Sequence, residues 1–313
     1  MDRRSLIKQL GLGALLGSIP GTGILRAATA PVQAGKKRVL RFAHLTDVHM
    51  EPELNAPKGL ATCLHHIQSQ QDKPAFIMNT GDCIFDALKQ PKDRVETQWK
   101  LWHDIFKSDN SLPLEYCIGN HDCWGAGQTS DPLYGKKYAL DMMRLEKPYR
   151  SFDKAGWHFI VLDSIQTKAD GTWYTCQLDD EQFAWLEQDL KANTTKPVIV
   201  FSHVPIVSAA TVVVDNKYKD PDGYVLGQAS MHTDAARIVS LFDQHPQVKL
   251  CMSGHIHLYE QVQYNGVTYI SNGAVSGNWW KGIRYRTDNG YAMVNLYEDG
   301  TFDNEYVPYG WKV

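Results

Sequence analysis

Five apolar runs in this chain each stop at residues that can bind a metal or move a proton, and this repeated pattern constrains the fold more than any other feature. Residues 39–45 lead into Thr46-Asp47-Val48-His49, and residues 75–78 into Asn79-Thr80-Gly81-Asp82. Residues 114–118 lead into Gly119-Asn120-His121-Asp122. Residues 198–201 end at Ser202-His203, and residues 249–252 at Ser253-Gly254-His255-Ile256-His257. Short apolar runs bounded by Gly and polar residues read as buried strands. In open α/β sheets ligands gather at the carboxyl ends of the strands. The five run ends are therefore expected to converge on one site.

The intervening segments fill in the class. Helical spacing predicts helices over 58–71, 92–107, 179–191 and 232–245, and a further strand is predicted over 157–163. Beyond residue 257 the pattern changes to short alternating segments at 258–264, 267–271, 291–297 and 301–306. Turns at Asn265-Gly266 and Asp299-Gly300 make these antiparallel hairpins. Strand–helix alternation followed by hairpins implies an α/β sandwich of mixed sheets with helices outside. One irregular piece, residues 208–231, is longer than most loops of a compact domain and reads as a lid, a substrate-pocket rim or the contact of a homodimer.

The first thirty residues read as an address, not as fold. Asp2-Arg3-Arg4-Ser5-Leu6-Ile7-Lys8 is a twin-arginine pattern, residues 10–25 are apolar and Gly-rich, and Ala28-Thr29-Ala30 is a small-residue cleavage site. The expected organisation is a signal peptide over 1–30 cleaved after Ala30, a linker over 31–38 and one catalytic domain over 39–313. The twin-arginine translocase would be the partner during export, and the mature protein would be periplasmic or secreted, with no membrane span. Removing residues 1–30, where Arg3, Arg4, Lys8 and Arg26 outweigh Asp2 by three, takes the formal charge from −3 to −6. An acidic body argues against a nucleic-acid footprint, although bound cations could still attract a phosphate locally. The six cysteines include no C-x-x-C pair. Cys117 and Cys251 read as core thiols, and Cys83 and Cys123 as neighbours of the site.

Asp47, His49, Asp82, Asn120, His203, His255 and His257 together offer two carboxylates, one amide and four imidazoles. That set is large enough for two metal ions with Asp82 bridging, the ions held ~3.5–4 Å apart by shared ligands. In an extended stretch the first and third residues of Asp47-x-His49 and of His255-x-His257 would share a face. His121 is the candidate proton donor or anion stabiliser, and Asp122 the candidate orienter of its imidazole.

The blocks D-x-H, G-D, G-N-H-D, a later single His and G-H-x-H stand here, in order, across residues 47–257. In this the chain resembles the calcineurin-like metallophosphoesterase family. The resemblance implies a four-layer α/β/β/α fold and a dinuclear hydrolase with Mn, Fe, Zn or Co as divalent or trivalent cofactors. It implies that Asp47, His49, Asp82 and His257 hold one ion, and Asp82, Asn120, His203 and His255 the other. A metal-bridging hydroxide would attack phosphorus in line, with His121 acting beside it and not as a ligand. The tyrosinate block of purple acid phosphatases is absent, since Phe85 stands where the Tyr of G-D-x-x-Y would be. Phosphodiester hydrolysis is the first expectation. Phosphomonoester or nucleotide diphosphate hydrolysis is the alternative, and a non-catalytic metal- or phosphate-binding module comes behind both.

Other residues divide between plain and functional readings. His44, His65, His66, His103, His158, His232 and His245 read as structural hydrogen-bonders. Asp163 ends a run and fits a cap or turn as well as a supporting role near the site. Trp124, Asn278, Trp279 and Trp280 are the candidate substrate-binding residues, the tryptophans offering stacking faces to a base or an aryl leaving group. Core packing of the same aromatics is the competing reading.

Overall fold

The computed structural model describes residues 35–168, 174–214 and 226–313. The expected signal peptide 1–30, linker residues 31–34 and residues 215–225 of the irregular piece lie outside the described residues. In chain order the elements are β1 (Arg38–Leu45), α1 (Ala56–Gln68), β2 (Ile77–Asn79), α2 (Lys92–Asp109) and β3 (Leu114–Tyr116). There follow α3 (Lys136–Met143), β4 (Arg150–Lys154), β5 (Trp157–Val161), β6 (Ile165–Thr167), β7 (Tyr174–Cys176), α4 (Asp180–Ala192) and β8 (Val198–Phe201). The chain closes with α5 (Ala210–Val214), α6 (Ala235–Phe242), β9 (Val248–Ser253), β10 (Glu260–Tyr264), β11 (Val267–Ser271), β12 (Gly290–Tyr297) and β13 (Phe302–Pro308).

Period-two alternation sorts the side chains into layers. In β1, Leu40 and Phe42 face the opposite sheet, and Ala43 and Leu45 face α1 and α2. In β8, Ile199 and Phe201 face inward, and Val198 and Val200 face α4 and α6. Strands buried on both faces are what a layered α/β fold requires. The inner layer holds Phe42, Phe76, Phe159 and Phe201 in mutual ring contact. The amphipathic helices cover the outside.

The two sheets run β13-β12-β1-β2-β3 and β10-β11-β9-β8-β5-β4. β1, β2 and β3 are parallel, as are β5, β8, β9 and β11. The hairpins β10–β11 and β12–β13 and the pairs β4–β5 and β1–β12 are antiparallel. This is the mixed sandwich flanked by helices expected from the run pattern and the resemblance. Parallel strands joined by crossovers put all the carboxyl ends at one edge, and that edge carries the motif residues. Elements without a strong period went unpredicted: α3, β4, the ribbon β6–β7, and α5 inside the stretch expected to be irregular. Among the described residues no helix is long and apolar enough to cross a membrane.

Phe159→Ala, emptying the middle of the inner layer, is expected to cost about 3–5 kcal/mol. A urea titration checks this, and a loss below about 1 kcal/mol would mean that the sheets do not depend on that aromatic stack.

Candidate metal centre

Beyond β1 and β2 the chain leaves the ladder, and the two following loops bind each other. Asp47 N donates to Gly81 O at 3.1 Å, His49 N to Asp82 O at 3.0 Å and Met50 N to Cys83 O at 2.9 Å. Asp47, His49, Asp82, His255 and His257 all have left-handed φ, between 49° and 70°. The extended geometry expected for Asp-x-His and His-x-His is therefore corrected. The pairs reach one site through a tight left-handed path, which Asp and His tolerate better than most residues but at some conformational cost. Two glycines permit the loops to touch. A β-carbon on Gly119 would overlap Asp82, and one on Gly254 would overlap Thr46 Oγ1 and Asp47 Oδ2.

The seven expected donors meet in a buried cluster. His49 Nε2 lies 2.9 Å from His257 Nε2, 3.8 Å from Asp47 Oδ1 and 3.7 Å from Asp82 Oδ2. His257 Nε2 lies 3.4 Å from Asp47 Oδ1. On the other side, His203 Nε2 is 3.3 Å from Asp82 Oδ2 and 3.0 Å from Asn120 Oδ1. His255 Nδ1 is 3.1 Å from Asn120 Oδ1. Asp47, His49 and His257 form one group with ligand atoms within 4.8 Å of one another, and Asp82, His203 and His255 form a second. Asp82 also groups with His49 and His121, so its carboxylate faces both halves.

The donor chemistry fits a pair of cations. Each of the four histidines has one ring nitrogen on a backbone carbonyl: His49 Nδ1 on Phe85 O, His203 Nδ1 on Thr80 O, His257 Nδ1 on Gly277 O and His255 Nε2 on Ala229 O. Donation to a carbonyl fixes the tautomer and leaves the other nitrogen's lone pair aimed into the cluster, the orientation a metal ligand needs. At His49 and His257 the inward ring nitrogens lie 2.9 Å apart, and a cation held by both would take the place of that contact. Asp47 Oδ1 is buried without a hydrogen-bond partner among the described residues. Burial works to lower the His203 imidazole, but the Asp82 and Asp47 carboxylates outweigh it and hold it at about 9. Burial works to raise Asp82, but the His203 and His121 charges outweigh it and keep the carboxyl well below its usual range. A cation at Asp82 would displace the His203 proton, the usual coupling of metal binding to proton release.

The roles given to Asp122 and to Trp280 need correction. Asp122 does not orient His121. Its fully buried carboxylate accepts N–H bonds from Gly119 at 2.9 Å, Asp82 at 2.9 Å and Cys83 at 2.8 Å. Burial and the Asp82 charge push it up to about 7, against the pull of those donors. It pins the loop after β2 to the loop after β3. The carboxylate facing His121 is Asp86, 3.8 Å from Nδ1. The His121 ring is partly exposed and lies edge-on to His49, centroids 4.8 Å apart. Trp280 is fully buried against Gly59, with Nε1 donating to His49 O at 3.0 Å, and so is not a rim residue. Trp124 is nearly buried, packs edge-on to Tyr138 and lines a cavity next to the loop that carries His121. Trp279 does sit at the site, 4.3 Å from the His257 ring, and Asn278 beside it is half-buried.

Several residues at or behind the site carried no sequence signal. Arg284 lies over Trp279 at 4.9 Å, and the Asp47 charge acts on it. Ala229, whose carbonyl orients His255, belongs to a segment held by His232. That ring lies 3.0 Å from both Ser202 Oγ and Asp234 Oδ1. The set looks like a Ser-His-Asp triad. It is buried, however, and Ser202 donates to Val204 O at 2.8 Å, so it serves as a tether. Asp163 takes the Ile165 N–H at 3.1 Å and pairs with Lys136. The six cysteines are all buried and unpaired.

A mixed α/β/β/α sandwich with clustered imidazole, carboxylate and amide donors at its strand ends defines a class, the metal-dependent hydrolases of phosphate esters. Residues 40–259 match the calcineurin-like phosphoesterase family, and the chain belongs to it. The family implies a dinuclear metal centre. The chain is 24% identical over 293 residues to the 3′,5′-cyclic-nucleotide phosphodiesterase alr5338 of Nostoc sp., an alignment spanning 89% of this chain and 96% of that protein. It is 21% identical over 220 residues to the probable glycerophosphodiester phosphodiesterase GpdQ of Arcobacter nitrofigilis, 68% of each chain. The fold is shared with a dimetal phosphatase from Danio rerio at a TM-score of 0.62 and 13% identity, over 88% of this chain and 100% of that one.

Gly254→Ala is expected to push Asp47 out of the cluster and to weaken metal affinity about 10–100-fold. Competition with a chelating dye measures this, and an unchanged affinity would show that Asp47 does not need that close approach.

Proposed function

We propose that this chain is an exported phosphodiesterase whose seven clustered donors hold two transition-metal ions. The observation that carries the reading is the alignment with a cyclic-nucleotide phosphodiesterase over nearly all of both chains. Glycerophosphodiesters, suggested by the second relative, belong to the same reaction class. Asp47, His49, Asp82 and His257 would hold one ion, and Asp82, Asn120, His203 and His255 the other. Bound there, the ions would supply a water acidified to near neutrality and would neutralise charge on the phosphoryl oxygens.

The chain's own residues do the remainder. His121, at the mouth of the cluster, would stabilise a phosphoryl oxygen or protonate the leaving oxygen. Asp86 would support the charge when that imidazole carries a proton. Trp279 packs on the His257 and His49 rings, at 4.3 and 5.8 Å, and would hold both in place. Arg284, lying over Trp279, would bring a guanidinium to the phosphate from the rim. Residues 1–30 would direct the protein through the twin-arginine translocase to the periplasm or beyond, leaving residues 39–313 as the catalytic domain. The acidic body agrees with a small phosphate ester as partner and with no nucleic-acid footprint.

On metal-defined enzyme, diesters are expected to be turned over faster than monoesters or diphosphates, and chelator to abolish the reaction. A panel in which monoesters win would overturn the diester assignment. His121→Ala is expected to keep its metal, read by elemental analysis, and to lose about 10²–10⁴-fold in kcat. An unchanged rate would remove His121 from the reaction. Replacing Arg3 and Arg4 by Lys is expected to retain the protein in the cytoplasm, and undiminished export of that variant would refute the address.

A further inference from the structure

Beside the metal cluster lies a cavity of about 300 Å³ that the proposed chemistry does not use. Its walls include Trp124, Tyr134, Lys136, Ile165, Thr167 and Tyr174. Those walls come from the same edge of the sandwich as the donors. Cys123 and Trp124, on one wall, directly follow Asn120-His121-Asp122, and Leu88, on another, lies two residues past Asp86. The two loops are joined, with Ala87 N donating to His121 O at 2.8 Å and Gly125 N to Ala87 O at 3.2 Å. The loops that carry His121 and Asp86 thus also carry the cavity wall, which puts a group held there on the His121 side of the cluster.

The lining specifies the chemistry of that group. Three aromatic side chains and two aliphatic ones favour a flat apolar body. The one cation, Lys136, is already compensated: it pairs with Asp163, whose side chain is 2% exposed, and with Gln166 Oε1 at 3.0 Å. An ammonium has three N–H donors, so Lys136 retains one beyond those two bonds. With its charge neutralised, it suits an uncharged acceptor better than a second anion. The volume is at the lower end of the range for ligand pockets, roughly 300–1,000 Å³. It is about ten times the ~30 Å³ share of one water. A heteroaromatic ring system fits within that volume, and the aromatic walls favour it over a short polyol.

We infer that this cavity is a binding site for the neutral heteroaromatic part of the substrate, a nucleobase, placed so that the attached phosphodiester reaches the metal cluster. The inference rests on the phosphodiesterase reading and selects nucleoside esters over glycerol esters within it.

Thr167 is exposed at the cavity edge, so Thr167→Phe narrows the cavity without disturbing the core. Two measurements test the inference. The first is the ratio of kcat/KM for 3′,5′-cyclic AMP to that for glycerophosphoethanolamine, expected to fall at least about tenfold in the variant. A ratio within about twofold of the starting enzyme overturns the inference. The second is calorimetric titration of the metal-free protein with adenosine, which needs no turnover. Saturable binding that the variant weakens supports the site, and absence of binding at millimolar adenosine overturns it. If no diester is hydrolysed at all, the phosphodiesterase reading fails by itself, and the adenosine titration still decides whether the cavity takes a base.

Discussion

Two carboxylates and four imidazoles are crowded into a buried pocket where the His203 charge offsets only part of what Asp47 and Asp82 carry, and the architecture serves to impose that crowding. His49 and His257 bring ring nitrogens to 2.9 Å, and Asp47 Oδ1 is left without a hydrogen-bond partner among the described residues. In a low-dielectric interior such unpaired acceptors are costly. The cost is tolerable only if cation binding returns more than it removes. The arrangement is held by rigid neighbours as well as by the attraction between His203 and the Asp82 and Asp47 carboxylates.

Those neighbours are mostly backbone. Carbonyls of Thr80, Phe85, Ala229 and Gly277 each take one ring N–H, and with it settle which nitrogen of each histidine faces inward. The loops that deliver the carbonyls are joined by N–H···O bonds and by the Asp122 carboxylate, which gathers donors from both sides of the crossing. The left-handed conformations at five of the donors are the local strain that this cross-bracing sustains. Behind it, the aromatic layer between the sheets keeps the strand ends at one height. Packing thus supports the backbone, and the backbone supports the ligand orientation.

Proximity in sequence misled at Asp122. His121 and Asp122 are adjacent, so a carboxylate–imidazole contact is the natural expectation. They lie instead in a 3-10 turn over Asn120–Asp122, where consecutive side chains project about a third of a turn apart. The carboxylate turns inward to the backbone and the ring turns outward toward Asp86. Trp279 and Trp280 diverge in the same manner, both with positive φ, one over the His257 ring and one filling the space that Gly59 leaves. Asp86, Arg284 and the Ala229 carbonyl had no motif, because each matters only through partners far along the chain.

The sequence by itself determined which residues can bind metal, that each follows a strand, and that strands alternating with helices bring their ends to one edge. These are matters of side-chain chemistry and of periods two and 3.6, which a few neighbouring residues express. Only the tertiary structure decided which nitrogen of each ring faces the cluster, which carboxylate serves backbone instead of imidazole, and that a compensated, aromatic-walled cavity lies beside the donors. Those features depend on contacts such as that of His49 with His257, 208 positions apart. A contact of that span leaves no periodic or compositional trace, because it exists only once both sheets have closed on each other.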